Sequence, residues 1–562
     1  MSITKACGCF VLCLLASCYE TALACTGDGA GQSLLGKFHS QVPANEALAL
    51  LITPHDIDIK ITRKINEKAS ISYTPPSRNG HEFIYIAPRK INTEIELCIF
   101  SKYRYASPGR YTITRLTGLD EKLLHGIELM DKGAQAWSEQ SRDSKGLAIA
   151  YFDQVAKLGI NRFNLSDYAR LHSLNARILE YRYKYALTLA KEILTRVKEK
   201  PYLKYSAYWG KGQIQLRQNK PKQAIKNLSR AIALAESLPS QSLSAKDIAD
   251  MKNLLAEAYL MDGHINTGKK LIDEAMVLAA NDHRLLGAMY NNLGYTSILE
   301  GNRTTGLLRM QHINKSIGEH KLAREYSQKA GDFLELLYIE NNLANLYQRV
   351  GSVRQAREHY WQALNLIGHS GSAFMSLIIY GNLGMIYQYL GDYQKSESFL
   401  NKALNIANQS QSSPFLSSLL QCRLGNTQRL MGKAKTALIK HNLCARYAIE
   451  ENNRELLIKA RYELAEDYIH LNNIPNARKN SALIIDQLNP EIDGDTGLYS
   501  QVLAQYAKLQ RLEGNFAHAL THITSALKYS RASRNPTLRI KILREVMQLY
   551  TALNQNTRAL TY

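Results

Sequence analysis

Apolar and polar residues follow two different periods along the chain, and the period changes near residue 120. Before that point, the segments 56–62 and 93–99 alternate strictly between the two kinds of residue, which predicts half-buried β-strands. Shorter segments of this kind, separated by turn-forming Pro and Gly, lie at 50–53, 70–74, 82–87 and 110–116. We predict a small all-β sandwich domain of six or seven strands over 26–119. It would be either a structural spacer or a carbohydrate- or ligand-binding module.

From about residue 121 onwards a helical period replaces the alternation, and a short pattern recurs. Residues 341–351 (NNLANLYQRVG) and 381–391 (GNLGMIYQYLG) share Leu, a small residue, Tyr and Gly at the same spacing, and a second small residue follows twelve positions after the first. Small residues let two antiparallel helices approach closely, and bulky Leu and Tyr fill the groove around them. Gly ends the first helix. This pattern resembles the tetratricopeptide repeat (TPR).

The two small positions can be followed through the rest of the chain. On the first helix of each repeat they fall at Ala136, Leu174, Gly212, Ala256, Gly294, Ala344, Gly384, Gly425, Ala465, Ala507 and Met547. On the second helix, twelve residues later, they fall at Ala148, Ala186, Ala224, Gly268, Gly306, Ala356, Ser396, Ala437, Ala477, Ala519 and Ala559. The resemblance implies a mostly α fold, a TPR superhelical solenoid of about eleven helix-turn-helix repeats over 121–562, preceded by the small all-β sandwich domain.

The spacing of the repeats adds two details. From residue 344 on, successive first positions are 40 to 42 residues apart, compared with about 34 in the commonest TPR. This longer period is similar to that of kinesin light chains and of bacterial peptide-sensing regulators. The step from 294 to 344 is 50 residues. About ten residues are therefore inserted near 312–321, which predicts a surface loop or a longer helix there.

Asn residues recur near the small position of the first helix. Because Asn is a mediocre helix former, its repeated use indicates another role. An Asn amide can bond both the N–H and the C=O of an extended peptide, and in the TPR families that the chain resembles Asn at these positions contacts the peptide. The candidate peptide-binding residues are Asn292, Asn342, Asn345, Asn382 and Asn426, with Arg349 as partner for a carboxylate. The alternatives are that the Asn residues bridge adjacent helices and that Arg349 is solvated.

The chain is strongly basic, with 70 Lys and Arg against 49 Asp and Glu. The excess concentrates at 177–230, where fourteen Lys and Arg stand against three Glu and are interleaved with Tyr. Such a region could dock an acidic protein segment or an anionic surface, or form a solvated face. We expect no nucleic-acid partner, because the beginning of the chain predicts export.

The first 25 residues have the features of a secretory leader, namely Lys5, a short apolar core and then small residues. Two cleavage interpretations remain open. Residues 15–18 (LASC) resemble the lipobox of bacterial lipoproteins, with 1–17 as leader and Cys18 as the lipidated residue, whereas residues 22–24 (ALA) fit an ordinary site after 1–24. A buried N-terminal helix is the third alternative. Cleavage predicts a protein of the bacterial periplasm, or one anchored to the cell envelope by lipid.

The sequence shows no motif of an enzyme, a metal site or a cofactor site. None of the motifs GxxxxGK[ST], HExxH and GxSxG occurs, and no CxxC motif has a matching second pair. His441 and Cys444 share a helix face but occupy packing positions, so we expect them in the core. Sequence separation leaves open whether Cys422 and Cys444 meet. We predict a non-enzymatic protein without cofactor or metal.

The last repeat is incomplete, because the chain stops three residues after Ala559. The order of leader, small β-domain and long TPRs resembles secreted bacterial proteins that carry a C-terminal CHAT domain, a caspase-like protease fold absent from these residues. Three hypotheses follow. The chain is an exported scaffold that binds a protein or peptide in a concave groove, the recognition region of a truncated CHAT-type protease, or an envelope-assembly factor that binds an anionic polysaccharide or lipid.

Overall fold

The computed structural model describes residues 34–54, 59–66, 68–73, 82–101, 111–139, 142–180, 182–196, 200–238, 245–304, 306–370, 373–409, 414–485, 488, 496–533 and 536–561. The chain divides into two compact units, which are described separately. The first comprises 1–286 with 329–331, and the second comprises 287–328 with 332–562. The predicted leader and its candidate lipidation residue Cys18 lie outside the described residues, so both remain predictions.

The first unit begins with two small antiparallel sheets. Their strands are β1 Leu34–Val42, β2 Leu48–Pro54, β3 Ile59–Ile65, β4 Lys68–Tyr73, β5 Glu82–Ile86, β6 Thr93–Ser101 and β7 Tyr111–Arg115. One sheet has the order β1-β6-β3-β4 and the other β5-β2-β7. The alternating apolar residues of both sheets form one core, in which Leu50, Ile61, Ile84 and Leu97 are fully buried. The predicted all-β region is therefore confirmed.

The β5-β2-β7 sheet is buried on its second face as well, because the first helix packs against it. Ala49, Leu51 and Phe83 belong to the same apolar cluster as Leu123 and Ile127 of that helix, α1 (Glu121–Ser138). This contact explains why almost every residue of β2 is buried. In a helical repeat array, the preceding repeat buries the apolar surface of the next helix pair. The first helix pair has no preceding repeat in the described residues, and the β5-β2-β7 sheet buries part of this surface instead.

A buried ion pair joins the sheets to the same helix. Nη1 of Arg63, on β3, lies 3.0 Å from Oδ2 of Asp131 on α1. Arg63 also donates to the backbone carbonyl of Tyr85, and Asp131 accepts from Gln135. Both charged groups are buried, so hydrogen bonds as well as charge offset the cost of removing them from water. The β region and the first repeat thus form one packed body.

The remaining helices follow as consecutive antiparallel pairs. Together with α1 they are α2 Arg142–Leu158, α3 Leu165–Leu179, α4 Tyr183–Arg196, α5 Pro201–Arg217, α6 Pro221–Glu236, α7 Ala245–Met261, α8 Ile265–Ala279, α9 His283–Asn302, α10 Gly306–Ala330, α11 Phe333–Arg349, α12 Val353–Ser370, α13 Ala373–Tyr389, α14 Tyr393–Gln409, α15 Pro414–Leu430, α16 Ala434–Glu450, α17 Arg454–His470, α18 Ile474–Ile485, α19 Thr496–Leu512, α20 Phe516–Ser533, α21 Pro536–Ala552 and α22 Asn556–Leu560. The described residues therefore contain eleven helix pairs, which confirms the predicted repeat count.

The small residues sit where the two helices of a pair touch. A Cβ added to Gly384 would lie 2.6 Å from Cγ of Leu400 on the second helix of its pair, and one added to Gly425 would lie 2.6 Å from Nε2 of His441. Both distances are too short for a carbon atom. The small residue on the second helix is buried too, as Ser396 and Ala437 show. The packing reason for the sequence pattern is therefore confirmed.

The first helix of a pair commonly ends at a residue in the left-handed region. Gly391 has φ of 79° and Asn472 has φ of 56°. Gly adopts this conformation without a steric cost, and Asn tolerates it better than most residues. The backbone N–H three residues after the helix then closes the turn, as from Asp392 to the carbonyl of Tyr387. This is the helix ending that the sequence pattern predicts.

The inserted residues lengthen a helix rather than form a loop. Helix α10 has 25 residues. Because of this extra length, the residue of α10 that packs on Gly294 lies further along the chain than the twelve-residue spacing predicts. Ser316, not Gly306, packs on Gly294, because its Oγ donates to the Gly294 carbonyl at 2.8 Å. His320 then lies against Gly294, whose missing side chain makes room for the ring. The twelve-residue spacing that assigned Gly306 is wrong for this one repeat.

Candidate functional site

The first helices of successive pairs in the second unit are joined by polar side chains. Asn342 on α11 donates through Nδ2 to Oδ1 of Asn291 on α9 at 3.0 Å. One pair further on, Nδ2 of Asn382 on α13 donates to Oδ1 of Asn341 at 3.1 Å. Nη1 of Arg423 on α15 continues the series by donating to Oδ1 of Asn382 at 3.3 Å. Amide groups therefore bridge neighbouring repeats along this face.

Charged groups continue the same series towards the end of the chain. The bonds are Asn426 to Glu463 at 3.1 Å, Arg429 to Glu463 at 2.5 Å, Gln505 to Glu466 at 2.9 Å, Lys508 to Glu466 at 3.1 Å and Arg511 to Glu545 at 2.7 Å. They join α15 to α17, α17 to α19 and α19 to α21. We call the whole series, from Asn291 on α9 to Glu545 on α21, the polar ladder. Its cations on α19 each have a carboxylate partner.

The polar ladder has a fully buried branch at Asp467 on α17. One carboxylate oxygen of Asp467 accepts from Arg429 at 3.0 Å, and the other lies 2.5 Å from Nδ1 of His441. Nε2 of His441 faces the backbone carbonyl of Cys422 at 3.1 Å. Burial lowers the pKa of Arg429, but the carboxylates of Glu463 and Asp467 more than offset this and raise its pKa above the ordinary value.

The two cysteines beside this branch are joined. Cys422 on α15 and Cys444 on α16 form a disulfide that links the two helices of one repeat. Both residues are buried, as is His441. The prediction that His441 and Cys444 are core residues is therefore confirmed, and the open question about the Cys422–Cys444 pair is resolved.

The candidate peptide-binding residues differ in how many of their polar atoms are engaged. Asn382 uses both ends of its amide within the polar ladder, and so does Asn426, whose Oδ1 accepts from Arg429 at 3.3 Å. Asn345 accepts from the Tyr360 hydroxyl at 2.5 Å through Oδ1, and its Nδ2 bonds to no described residue. Asn342 donates through Nδ2, while its Oδ1 accepts from no described residue.

Asn291, the neighbour of Asn292, accepts the bridging bond from Asn342. The backbone carbonyl of Asn292 accepts from the Thr296 hydroxyl at 2.8 Å. The bridging alternative thus describes Asn342, Asn382 and Asn426, and peptide contact by the five Asn residues stays a prediction. Asn291, Asn341 and Arg423 were missed from the sequence. The doubled Asn residues at 291–292 and 341–342 are the signal that points to the first two.

Arg349 and Arg423, both on first helices, lack a carboxylate partner among the described residues. Arg423 donates to Asn382 alone; burial lowers its pKa, and Tyr360 and Tyr389 act in the opposite direction. Burial, followed by the charge of Arg309, lowers the pKa of Arg349. A guanidinium in such a place can bind a carboxylate through two hydrogen bonds.

The described residues include no cluster of three or more His, Cys, Asp or Glu suited to a metal ion. None of their helices is long and apolar enough to cross a membrane.

Consecutive antiparallel helix pairs with small residues at their contacts define an α-helical repeat protein. Family models described as "Tetratricopeptide repeat" match residues 335–409 and 375–450, and a second such model matches 205–238. Residues 205–238 and 335–450 are therefore tetratricopeptide repeats, and the described helix pairs have the fold of this repeat class. No curated protein matches it.

Several solved structures are similar to the chain at low identity. The apo form of the quorum sensor NprR from B. thuringiensis is 16% identical, with a TM-score of 0.43, covering 64% of this chain and 99% of that chain. A STAND signal-transduction ATPase with a tetratricopeptide repeat sensor from Pyrococcus horikoshii is 14% identical, with a TM-score of 0.45, covering 66% and 53%. The apo form of RapI is 15% identical, with a TM-score of 0.37, covering 66% and 99%. The CHAT-domain part of the sequence resemblance stays a prediction.

Proposed function

We propose that the chain is an exported, non-enzymatic TPR scaffold that binds a protein or peptide segment on the face formed by the first helices of the second unit. The observation that carries this proposal is the contrast between two groups of cations on that face. Arg429, Lys508 and Arg511 are each paired with Glu. Arg423 and Arg349 have no carboxylate partner among the described residues. A ligand carboxylate would compensate these two charges.

Neighbouring groups suit a peptide backbone beside that carboxylate. Nδ2 of Asn345 and Oδ1 of Asn342 are, among the described residues, a donor and an acceptor without partners, and both belong to α11, as does Arg349. An amide donor and acceptor of this kind can bond the C=O and N–H groups of an extended chain. The proposal therefore assigns backbone contact to Asn342 and Asn345, carboxylate contact to Arg349 and Arg423, and a bridging role to Asn382 and Asn426.

Peptide selection tests this assignment. Random twelve-residue peptides are selected for binding to the intact chain, and the best binders are measured by fluorescence anisotropy. We expect selected peptides to carry Asp, Glu or a free terminal carboxylate. Loss of a partly buried charge partner costs about 2–5 kcal/mol, so Arg423→Gln should weaken binding at least tenfold. Arg354→Gln on α12, where the side chain is 86% exposed, is the matched control. Equal affinity of the Arg423→Gln and Arg354→Gln proteins would refute the assignment.

The cysteines support the export part of the proposal. Cys98, Cys422 and Cys444, which are all the cysteines among the described residues, are disulfide-bonded. Disulfides form and persist in oxidising compartments and are rare in the cytosol. A bacterial protein of this kind belongs outside the cytoplasm. The proposal includes two forms of the mature protein, a soluble form and a form with lipid attached to Cys18. The mass of the mature protein distinguishes these two forms.

Thiol trapping checks the compartment. Cells that produce the full chain are quenched in acid, and the protein is unfolded and treated with a thiol-alkylating reagent before and after reduction. We expect Cys422 and Cys444 to react only after reduction. A variant without residues 1–24, retained in the cytoplasm, should react before reduction and serves as the control. Alkylation of both cysteines before reduction in the full chain would rule out the oxidised, exported form.

A further inference from the structure

The helix pair α5–α6 in the first unit carries almost only positive charge. Residues 201–236 contain seven Lys and Arg, and their one acidic residue is Glu236 at the end of α6. Three other cations of the basic region are paired with acids. Arg177 contacts Asp153, Arg196 contacts Glu192 and Lys200 contacts Asp167. The basic region is therefore not uniform: within the hairpin Arg217 acts on the carboxylate of Glu257, whereas Lys211, Lys226 and Arg230 have no acidic partner among the described residues.

Two of these cations lie close to one tyrosine ring, and two further cations lie near enough to Lys211 to act on its charge. Nζ of Lys211 lies 5.9 Å from the centroid of the Tyr208 ring, and Cζ of Arg230 lies 5.8 Å from it. Lys226 is one helical turn before Arg230 on α6, and Lys191 approaches from α4. Burial lowers the pKa of Lys211, and the charges of Lys191, Arg230 and Lys226 lower it further. We call Lys191, Tyr208, Lys211, Lys226 and Arg230 the cation cluster.

The cation cluster has no acidic partner among the described residues. Glu192, which follows Lys191 in the chain, is engaged by Arg170 and Arg196. Like charges one turn apart on a helix, such as Lys226 and Arg230, destabilise it slightly. Repulsion also acts on the half-buried ammonium of Lys211, where water screens charge less than at the open surface. An anion placed among these groups would remove the repulsion.

We propose that the cation cluster is a second docking surface, separate from the polar ladder, and that it binds an acidic segment of a partner protein. The charge of the surface requires an anionic partner. Its geometry favours carboxylates on a flexible chain, because the half-buried Lys211 is reached by a slender side chain and the exposed Lys191, Lys226 and Arg230 surround it. A flat lipid surface would meet the exposed cations only. A second copy of this chain is not favoured as the partner, because its net charge of +21 would be repelled by the cation cluster.

A defined acidic peptide tests the proposal. The probe is a fluorescent twelve-residue peptide of Glu, Asp and Gly, and its neutral counterpart has Gln and Asn in place of the acids. We expect the intact protein to bind the acidic peptide at low salt and to bind it more weakly as the salt concentration rises. It should not bind the neutral peptide. The variant Lys211→Gln/Lys226→Gln/Arg230→Gln should bind at least tenfold more weakly.

Two controls separate this surface from general charge effects. Lys435→Gln/Lys479→Gln/Lys541→Gln removes the same charge from exposed positions on three other helices, and it should bind the acidic peptide like the wild type. The cluster substitutions are also made in the Arg349→Gln/Arg423→Gln background, which lacks the carboxylate-binding residues of the polar ladder, and the same loss of at least tenfold is expected there, so failure of one proposal does not imply failure of the other. If the cluster variant unfolds at a lower temperature than the wild type, the binding measurement is made instead with Lys226→Gln/Arg230→Gln, which changes exposed residues only.

Competition decides between partner classes. Vesicles of anionic phospholipid and heparin are added separately to the complex of protein and acidic peptide. We expect vesicles to compete weakly. Three results would overturn the proposal: no binding of the acidic peptide at low salt, equal affinity of the cluster variant and the charge-matched control, or binding of vesicles or heparin that depends on the cluster when the peptide does not bind.

Discussion

Replacing Asp467 with Ala should lower the free energy of unfolding by about 3–5 kcal/mol. Asp467 is fully buried and is the acceptor for both Arg429 and His441. Its removal leaves His441 without this acceptor and Arg429 with Glu463 as its remaining carboxylate partner, so part of the cost of removing these groups from water is no longer compensated. The loss affects α15, α16 and α17 together, because each contributes one of the three residues.

Urea unfolding followed by circular dichroism measures this effect. The midpoint of the transition that includes the second unit should shift to lower urea, and the comparison uses midpoints because a chain of two units need not unfold in one step. Glu455→Ala is the matched control, since Glu455 lies on the same helix and pairs with Lys459 at the surface. Exposed pairs contribute about 0–1 kcal/mol. Similar midpoints for the two variants would contradict a stabilising role of the buried carboxylate.

Acidification from pH 7 towards pH 4 should destabilise the wild-type chain by about 3 kcal/mol through His320 alone. The ring is fully buried, and burial lowers its pKa from 6.5 to about 4, against the opposing effect of the Ser316 carbonyl. Between these two values the unfolded chain binds a proton that the folded chain does not. Stability therefore falls as the pH falls through this window, and the loss levels off below about pH 4.

The difference between wild type and His320→Gln isolates this contribution. Unfolding midpoints are measured at several pH values from 7 to 4, and we expect the variant to depend less on pH across that window. His518→Gln is the control, because His518 is exposed and its removal should leave the wild-type dependence nearly intact. A variant that loses stability with acid as steeply as the wild type would show that His320 does not titrate in this way.

The sequence predicted the elements whose residues repeat with a clear period. Ile59, Ile61 and the alternating residues of β6 indicated half-buried strands, and the small positions indicated eleven helix pairs. Strand β1 was missed because it lies at the edge of its sheet and most of its residues are exposed or half-buried. The role of Gly306 was wrong because a constant spacing cannot show where inserted residues enter a pair. Ser316 holds that place.

The candidate site was predicted only in outline. Recurring Asn residues indicated the face of the first helices, because such repetition has no benefit for helix formation itself. Which amide bonds its neighbour, and which keeps a free atom, depends on the rotation of adjacent helices, and a linear pattern does not contain that information. The same holds for Arg423, whose lack of a carboxylate partner among the described residues is visible only when its neighbours are placed around it.

The disulfide between Cys422 and Cys444 has a mechanical consequence. When a chain of helix pairs is stretched from its two ends, each unfolded residue adds roughly 3.5 Å of extended length. The two cysteines are 22 residues apart, so their covalent bond withholds roughly 75 Å of chain from the extension. Residues 422–444, the part of the α15–α16 hairpin that includes Arg429 and His441, would remain a closed loop under tension until a reductant opens it.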